Sequence, residues 1–325
     1  MPQRDSPKGA APLLHTVTEA ESGQKILQCL QRRLHLPQNL LHRWLRTGQV
    51  RLNGGRCKAF TRITTGDIIR LPPFALKMAA QSGASPAIST NSKQSPLPPL
   101  LGESGDILAF FKPAGLPTHP GTGHRDSLAS RLHTYYMQAD FIPTPAHRLD
   151  RDTSGVLLVA ASYTALRTVQ DSIRQGLLSK EYLAWVHGCW PWPEEHLLCH
   201  VLRKTVQQGF EKMRSVSLED GMGKEARCLI RPLRRSPQNS LLQVHLLTGR
   251  THQIRAQLAL EGHPILGDTK YGEALHSDGR MYLHSLRVSL PTRLHFACLP
   301  HWPAPYALDV MPPPMTATFA AVKNA

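Results

Sequence analysis

Two patterns of apolar and polar positions divide the chain. From residue 19 to 74 the apolar residues first recur with a helical period and then alternate; from residue 104 they gather in short runs of strand length. Ile26, Leu27, Leu30 and Leu34 lie on one face at 3.6-residue spacing, which predicts a helix. Pro37 opens a second helix with Leu40, Leu41, Trp44 and Leu45 as its apolar side, and Gly48 is placed to end it. Gln49–Leu52 then alternates, Asn53-Gly54-Gly55 supplies a turn, and Thr65-Gly66-Asp67 leads into a strand over Ile68–Leu71.

In the longer block, strands are expected at Ile107–Lys112, at the apolar run Val156–Ala161, over Ser179–Val186, over Gln243–Leu247 and around Leu283-His284-Ser285. Leu166, Val169 and Ile173 give Tyr163–Arg174 one apolar face, so a helix is expected there. A further helix follows Thr251, a candidate N-cap, with Ile254 and Leu258 inward and Gly262 just past its end. Residues 75–103 are rich in Ser, Ala, Pro and Gln, with Pro96, Pro98 and Pro99 near the end, and are expected to form a flexible linker. The chain therefore divides into a loose leader (1–18), a compact unit (19–74), a linker (75–103) and a large block (104–325).

Charge sharpens this division. The 325 residues carry 38 basic and 23 acidic side chains, a net charge of +15. Gln24–Arg70 alone has ten Lys or Arg against one acid, Asp67, which places +9 of that excess in 47 residues. An excess of this size suits a polyanionic partner, because each neutralised phosphate releases condensed counterions. His42, Arg43 and Arg46 lie off the apolar face of the second helix, where they could meet phosphates together; Arg32 and Arg33 add to the same basic unit. Six scattered cysteines with no Cys-x-x-Cys suggest reduced thiols of a cytosolic protein. The 17 histidines form no ligand array, so no metal and no cofactor is implied. No stretch approaches the roughly 20 apolar residues of a membrane span, and the N-terminus lacks a signal-peptide core.

Candidate chemistry concentrates in His147-Arg148-Leu149-Asp150-Arg151-Asp152-Thr153-Ser154-Gly155, which runs straight into an apolar strand. Asp150 stands between two arginines, and neighbouring cations favour the ionised form of a carboxylate. It is a candidate nucleophile or base. Thr153-Ser154-Gly155 supplies turn chemistry, hydroxyls for local backbone and a glycine free of the Cβ penalty. Far downstream, Leu247-Thr248-Gly249-Arg250-Thr251-His252-Gln253-Ile254-Arg255 places Arg255 in the first turn of a helix. A cation gains nothing there from the helix dipole, so it needs another partner.

The nonapeptide resembles the signature of the RluA-type pseudouridine synthases, which isomerise uridine to its C-glycoside within RNA. Lys112-Pro113-Ala114-Gly115, Lys180-Glu181-Tyr182 and the run from Leu247 through Gly262–Asp268 match the same family in order and spacing. The resemblance implies an α+β catalytic domain with a mixed, mainly antiparallel sheet and flanking helices. It implies Asp150 as the essential carboxylate, Tyr182 as the active-site tyrosine and Arg255 as the clamp on Asp150. His147, Arg148, Arg250, Thr251, His252 and Gln253 would hold RNA or local structure. Ser285 stands where the family commonly has alanine. The basic unit is similar to a small α/β RNA-binding domain of S4 type, with "TGQVRLNG" and "TTGDIIRL" in order after two helices.

The expected activity is isomerisation of uridine in structured RNA. Asp150 would act at the sugar, by attack at C1′ or by deprotonation at C2′, and Tyr182 would stack on the everted base. No nucleotide-binding glycine loop or redox motif is needed. An S4-like unit favours 23S ribosomal RNA as substrate, with transfer RNA as the alternative, for a monomeric cytoplasmic enzyme. One rival is a hydrolase using Asp150 and Asp152, two residues apart on an extended segment and so on one face. Another is a noncatalytic RNA-binding or ribosome-assembly protein.

Overall fold

The computed structural model describes residues 12–81, 95–121, 126–207, 210–216, 223–272 and 279–315. The leader up to residue 11 and the linker between 82 and 94 lie outside the described residues. The chain forms two compact units. The smaller draws on Met1–Leu97, Ala129–Thr144 and Ala160–Thr168, the larger on Pro98–Leu128, Pro145–Val159 and Val169–Ala325. The small unit thus recruits two segments from the block expected to be wholly catalytic.

In the small unit, β1 (Leu13–Thr16) precedes α1 (Ile26–Leu34) and α2 (Gln38–Thr47), followed by β2 (Arg51–Leu52), β3 (Ile68–Leu71) and α3 (Ala75–Gln81). Both amphipathic helices stand where the periodicity puts them, since each can bury its apolar stripe only against the other and the sheet. Ile26, Leu30, Leu41 and Trp44 are almost fully buried in that core. Gly48 closes α2 in the left-handed region, φ 74°, with its N–H on the Leu45 and Trp44 carbonyls. The three strands pair antiparallel in the order β1-β3-β2. Two expectations change here. Residues 13–16 of the leader are strand β1, paired along its whole length with β3, and α3 occupies the start of the expected linker.

The large unit is built on one sheet. Its strands are β4 (Leu100–Ser104), β5 (Ile107–Lys112), β6 (Thr144–Pro145), β7 (Ser154–Ala160), β8 (Ser179–His187), β9 (His196–Gln207), β10 (Phe210–Ser215), β11 (Lys224–Arg235), β12 (Asn239–Leu246), β13 (Leu283–Ser289) and β14 (His295–Ala297). Of the remaining helices, α4 (Leu128–Tyr135) belongs almost wholly to the small unit, α5 (Tyr163–Arg174) has residues in both units, and α6 (Gln253–Leu260) belongs to the large one. The sheet runs β10-β9-β11-β12-β8-β13-β7-β5-β4, with β14 beside β13 and β6 beside β7. β13 pairs parallel with β7, whereas the pairs β10–β9, β9–β11, β11–β12, β12–β8, β8–β13, β13–β14 and β5–β4 are antiparallel. This is the expected mixed, mainly antiparallel α+β architecture. β4 lies in the last part of the expected linker, so the domain begins earlier than composition suggested.

β7 is buried along its entire length, as an unbroken apolar run at the centre of a sheet must be. Thr153-Ser154-Gly155 is not a turn: Ser154 and Gly155 already belong to this strand. Gly155 adopts φ 112°, and a Cβ there would overlap the Ser285 backbone of the neighbouring strand. The glycine permits close approach of two strands rather than a change of direction. Among the described residues no helix is long and apolar enough to cross a membrane.

Candidate active site

Asp150 lies on the short loop that enters β7, and the loop is pinned on both sides of it. The Thr118 hydroxyl donates to the Leu149 carbonyl at 2.9 Å and accepts from the Leu149 N–H at 3.1 Å. Lys112, fully buried at the end of β5, donates from Nζ to the carbonyls of Pro113, Leu116 and Arg151 at 2.9, 2.7 and 2.9 Å. Burial lowers its pKa to about 7, against the pull of Asp152 and Asp150. The Lys-Pro-x-Gly element therefore folds back and fixes the backbone on which the carboxylate stands.

The two arginines that flank Asp150 in sequence do not hold it. Arg151 turns outward and pairs with Asp152 at 2.9 Å, and Arg148 is exposed. The cation that meets Asp150 comes from α6: Arg255 Nη1 donates to Asp150 Oδ2 at 3.1 Å. Arg255 is held in turn by Asp268, with Nε and Nη2 each 2.7 Å from its two carboxylate oxygens. Asp268 is fully buried and also accepts the Lys270 and Tyr271 N–H groups at 2.9 and 3.1 Å. Burial by itself would raise the Asp268 pKa; Arg255 and these amides more than offset it, so the carboxyl is held below its usual range. Burial likewise opposes the charge on Arg255, yet Asp268 and Asp150 together push its pKa above the ordinary guanidinium value. The planar fork of arginine suits this three-point contact, which an ammonium could not reproduce.

Asp268 was missed by sequence reasoning although it ends a matching motif. Its signal was an acid enclosed by Pro264, Ile265, Leu266 and Gly267, since a buried carboxylate demands a cation. The helix start also differs from expectation. His252, not Thr251, is the residue before α6, in the left-handed region at φ 50° and without a side-chain cap bond. Gln253 takes over the turn: its Oε1 accepts the Arg250 N–H at 2.9 Å and the Thr248 hydroxyl at 2.8 Å. Thr251 is left exposed at the rim.

Asp150, Arg255 and Tyr182 line one cleft of about 300 Å³, together with His147, Arg148, Arg250, Thr251, His252 and Gln253. Tyr182 comes from the middle of β8; burial pushes its phenol pKa up, and the charge of Asp150 adds to the effect. His147 is pinned with Nε2 accepting the Leu158 N–H at 3.1 Å, and burial lowers its pKa to about 3, so it is neutral. His252 places Nε2 3.8 Å from Asp150 Oδ1 and shares a 3.1 Å contact between Nδ1 and the Tyr271 hydroxyl. Arg250 donates to the Glu225 carbonyl at 2.8 Å. Lys180, the partner of Tyr182 in the Lys-x-Tyr pair, lines the same cleft and was also missed. Its two-residue spacing from Tyr182 on a strand was the available sign.

Asp152 does not line this cleft. It lines a wider adjoining groove of about 540 Å³, to which His119 and Lys270 contribute. Asp150 lines that groove as well, but Asp152 is committed to Arg151, from Nε at 2.9 Å and Nη2 at 3.1 Å, which leaves one carboxylate rather than a pair for chemistry.

In the small unit the candidate phosphate contacts separate into two groups. His42, Arg43 and Arg46 are exposed on α2. Arg32 and Arg33 are half-buried and committed within the unit. Arg32 bonds Gln24 and lies over the rings of Phe141 and Tyr163, at 5.1 and 5.7 Å. Arg33 meets Glu21 at 2.7 Å and the Asp140 carbonyl at 2.8 Å.

Comparison with known proteins adds a lineage to this geometry. The sequence profile described as RNA pseudouridylate synthase matches residues 106–260, the span that carries Asp150, Tyr182 and Arg255. The chain is 35% identical over 281 residues to a ribosomal large subunit pseudouridine synthase C of Haemophilus influenzae, covering 84% of this chain and 85% of that one. It is 34% identical over 258 residues to the protein of that name from Escherichia coli, covering 79% of each. Among solved structures, human RNA pseudouridylate synthase domain containing 4 superposes with a TM-score of 0.51 at 22% identity, covering 61% of this chain and 87% of that one.

Proposed function

From the premise that this chain belongs to the RluA-type family of RNA pseudouridine synthases, we propose that it isomerises uridine in large-subunit ribosomal RNA with Asp150 as the essential carboxylate. The name shared by its relatives supports the ribosomal substrate over transfer RNA. The observation that carries the assignment is the 3.1 Å contact between Asp150 and Arg255 in a cleft also lined by Tyr182.

Arg255 occupies one oxygen of Asp150 and fixes the plane of the carboxylate, leaving the other oxygen toward His252 and the cleft. An everted ribose set against that oxygen can be attacked at C1′ or lose its C2′ proton. Extrusion of the nucleotide costs a few kcal/mol, and Arg148, exposed at the mouth, is the side chain positioned to hold it. Tyr182 keeps its proton at neutral pH, since burial and the charge of Asp150 both disfavour the phenolate. It therefore serves as a stacking face and hydrogen-bond donor, not as a resident base. Arg250, Thr251 and His252 line the cleft ahead of α6, and the buried Gln253 holds their turn.

In the small unit, Arg43, Arg46 and His42 supply an S4-like phosphate contact; Arg32 and Arg33 serve that surface only by holding the unit together. The enzyme works as a single chain in the cytoplasm and needs no cofactor. The test is a transcript of 23S ribosomal RNA tritiated at uridine C5. Isomerisation replaces the C5–H bond, so tritium is released to water. A noncatalytic binder retains it, and a nucleosidase leaves an abasic site.

A further inference from the structure

We infer that Lys180 is the cation that balances the negative charge of the uracil ring while that ring is detached from ribose, an inference that rests on the pseudouridine synthase reading of the cleft. Lys180 and Tyr182 are two residues apart on β8, so their side chains project from the same face of the sheet. Both line the 300 Å³ cleft. Tyr182 is the expected stacking face for the base, which places Lys180 beside whatever ring lies on it.

Among the described residues the Lys180 ammonium has no hydrogen-bond or ion-pair partner. The groups around it explain why. His147 is neutral and already accepts the Leu158 N–H. Gly249 has no side chain, and a Cβ there would lie 3.2 Å from the lysine Nζ. Arg250, His252 and Arg255 are further cations or potential cations of the lining, and Asp150, its one carboxylate, is taken by Arg255. Burial lowers the Lys180 pKa, as expected of an ammonium losing water with no anion beside it. An unpaired cation aimed into a cleft is costly in the free protein. The cost is offset where negative charge develops on a bound group, which is how preorganised sites lower a barrier.

The reaction supplies that charge. When N1–C1′ breaks, the electron pair remains on the base, while C1′ gains a bond to an Asp150 oxygen or C2′ gives a proton to it. The free uracil is then an anion with its charge spread over N1, O2, C5 and O4. After rotation C5 bonds to C1′ as the Asp150–C1′ bond breaks, or as Asp150 returns its proton to C2′; the C5 proton then leaves to solvent and N1 is protonated, so the carboxylate is regenerated and atoms and charge balance. Lys180 donates a hydrogen bond to a ring carbonyl oxygen throughout and keeps its own proton.

Lys180→Met in the full-length protein, assayed with the C5-tritiated 23S transcript under single-turnover conditions, is expected to slow release by about 10²–10³-fold. Transcript affinity by filter binding should stay at the wild-type value, and the melting temperature should not fall. Lys180→Gln guards against a folding defect and should behave alike. In Lys180→Ala, added ethylamine should restore the rate in proportion to its concentration. A wild-type rate in Lys180→Met overturns the inference, as does weakened binding with an unchanged single-turnover rate, which would make Lys180 a phosphate contact. Failure of the wild-type protein to release tritium overturns the proposed function itself and the inference with it.

Discussion

Arg43 and Arg46 of the small unit stand in solvent with no carboxylate partner among the described residues, whereas Arg255 of the large unit is buried and divides its donors between two aspartates. The same residue type does opposite work in the two places. An exposed guanidinium keeps its hydration and its long-range field, so it can attract a polyanion but fixes no geometry. A buried one loses water and range and gains orientation, because its partners are few and close. In the small unit the charge is exposed and available to a polyanion; in the cleft it is buried and aligns a carboxylate.

The contrast breaks most sharply at Asp150. Asp150→Asn keeps the shape and the hydrogen bond from Arg255 and removes the charge at the sugar. Turnover is expected to fall by about 10⁴-fold or more, with RNA affinity nearly unchanged, by tritium release and filter binding. Retained turnover would end the assignment of the carboxylate. Arg255→Met comes next, since it strands the buried Asp268. A loss of about 3–5 kcal/mol is expected in urea denaturation, together with loss of activity; Arg255→Lys should recover charge but not the three-point contact.

In the small unit the effect should appear in binding alone. Arg43→Ser with Arg46→Ser should weaken RNA binding and reduce the slope of log K against log salt by about 1.4–1.8, two contacts at 0.7–0.9 each. Turnover at saturating RNA should not change; if it falls as well, the two units do not divide the work. The smallest effect concerns Glu21, which burial would raise but whose bonds with His15 and Arg33 lower its pKa to about 2. Because the folded value lies below the ordinary 4.5, its stabilisation is complete above pH 4.5 and is lost as pH falls toward 2. Glu21→Gln should therefore flatten the acid limb of unfolding monitored at Trp44, and an unaltered limb would show the cluster to be inert.

Much of the small unit was readable because its information is local. The stripe of α1, the Pro37 start and Gly48 end of α2, and the strand Ile68–Leu71 each depend on residues within a few positions. β9 and β11, twelve residues each, were not anticipated: β9 shows no sustained alternation, and in β11 the short alternation Ala226, Cys228, Ile230 is embedded among six charged side chains, so their partners in the sheet make them strands. Gly155 looked like a turn former because sequence reveals a missing Cβ but not the Ser285 backbone that approaches it. Asp268 stood in view without a role because the cation that needs it lies thirteen residues earlier on a helix face.

The sequence by itself determined the periodicities of the helices, the concentration of positive charge in Gln24–Arg70 and the motifs that mark Asp150, Tyr182 and Arg255. Those features are set by residue type and spacing, which need no third dimension. The family resemblance pointed to Arg255 as the cation of Asp150; only the tertiary structure decided the geometry of that contact and set the neighbouring arginines aside. Arg148 and Arg151 are near in the chain, but on the loop their side chains diverge, Arg151 to Asp152 and Arg148 to solvent. Arg255, 105 residues away, reaches the carboxylate because α6 and the sheet bring it there and Asp268 holds its orientation. Electrostatic attraction acts over ångströms of space, and folding alone sets those distances.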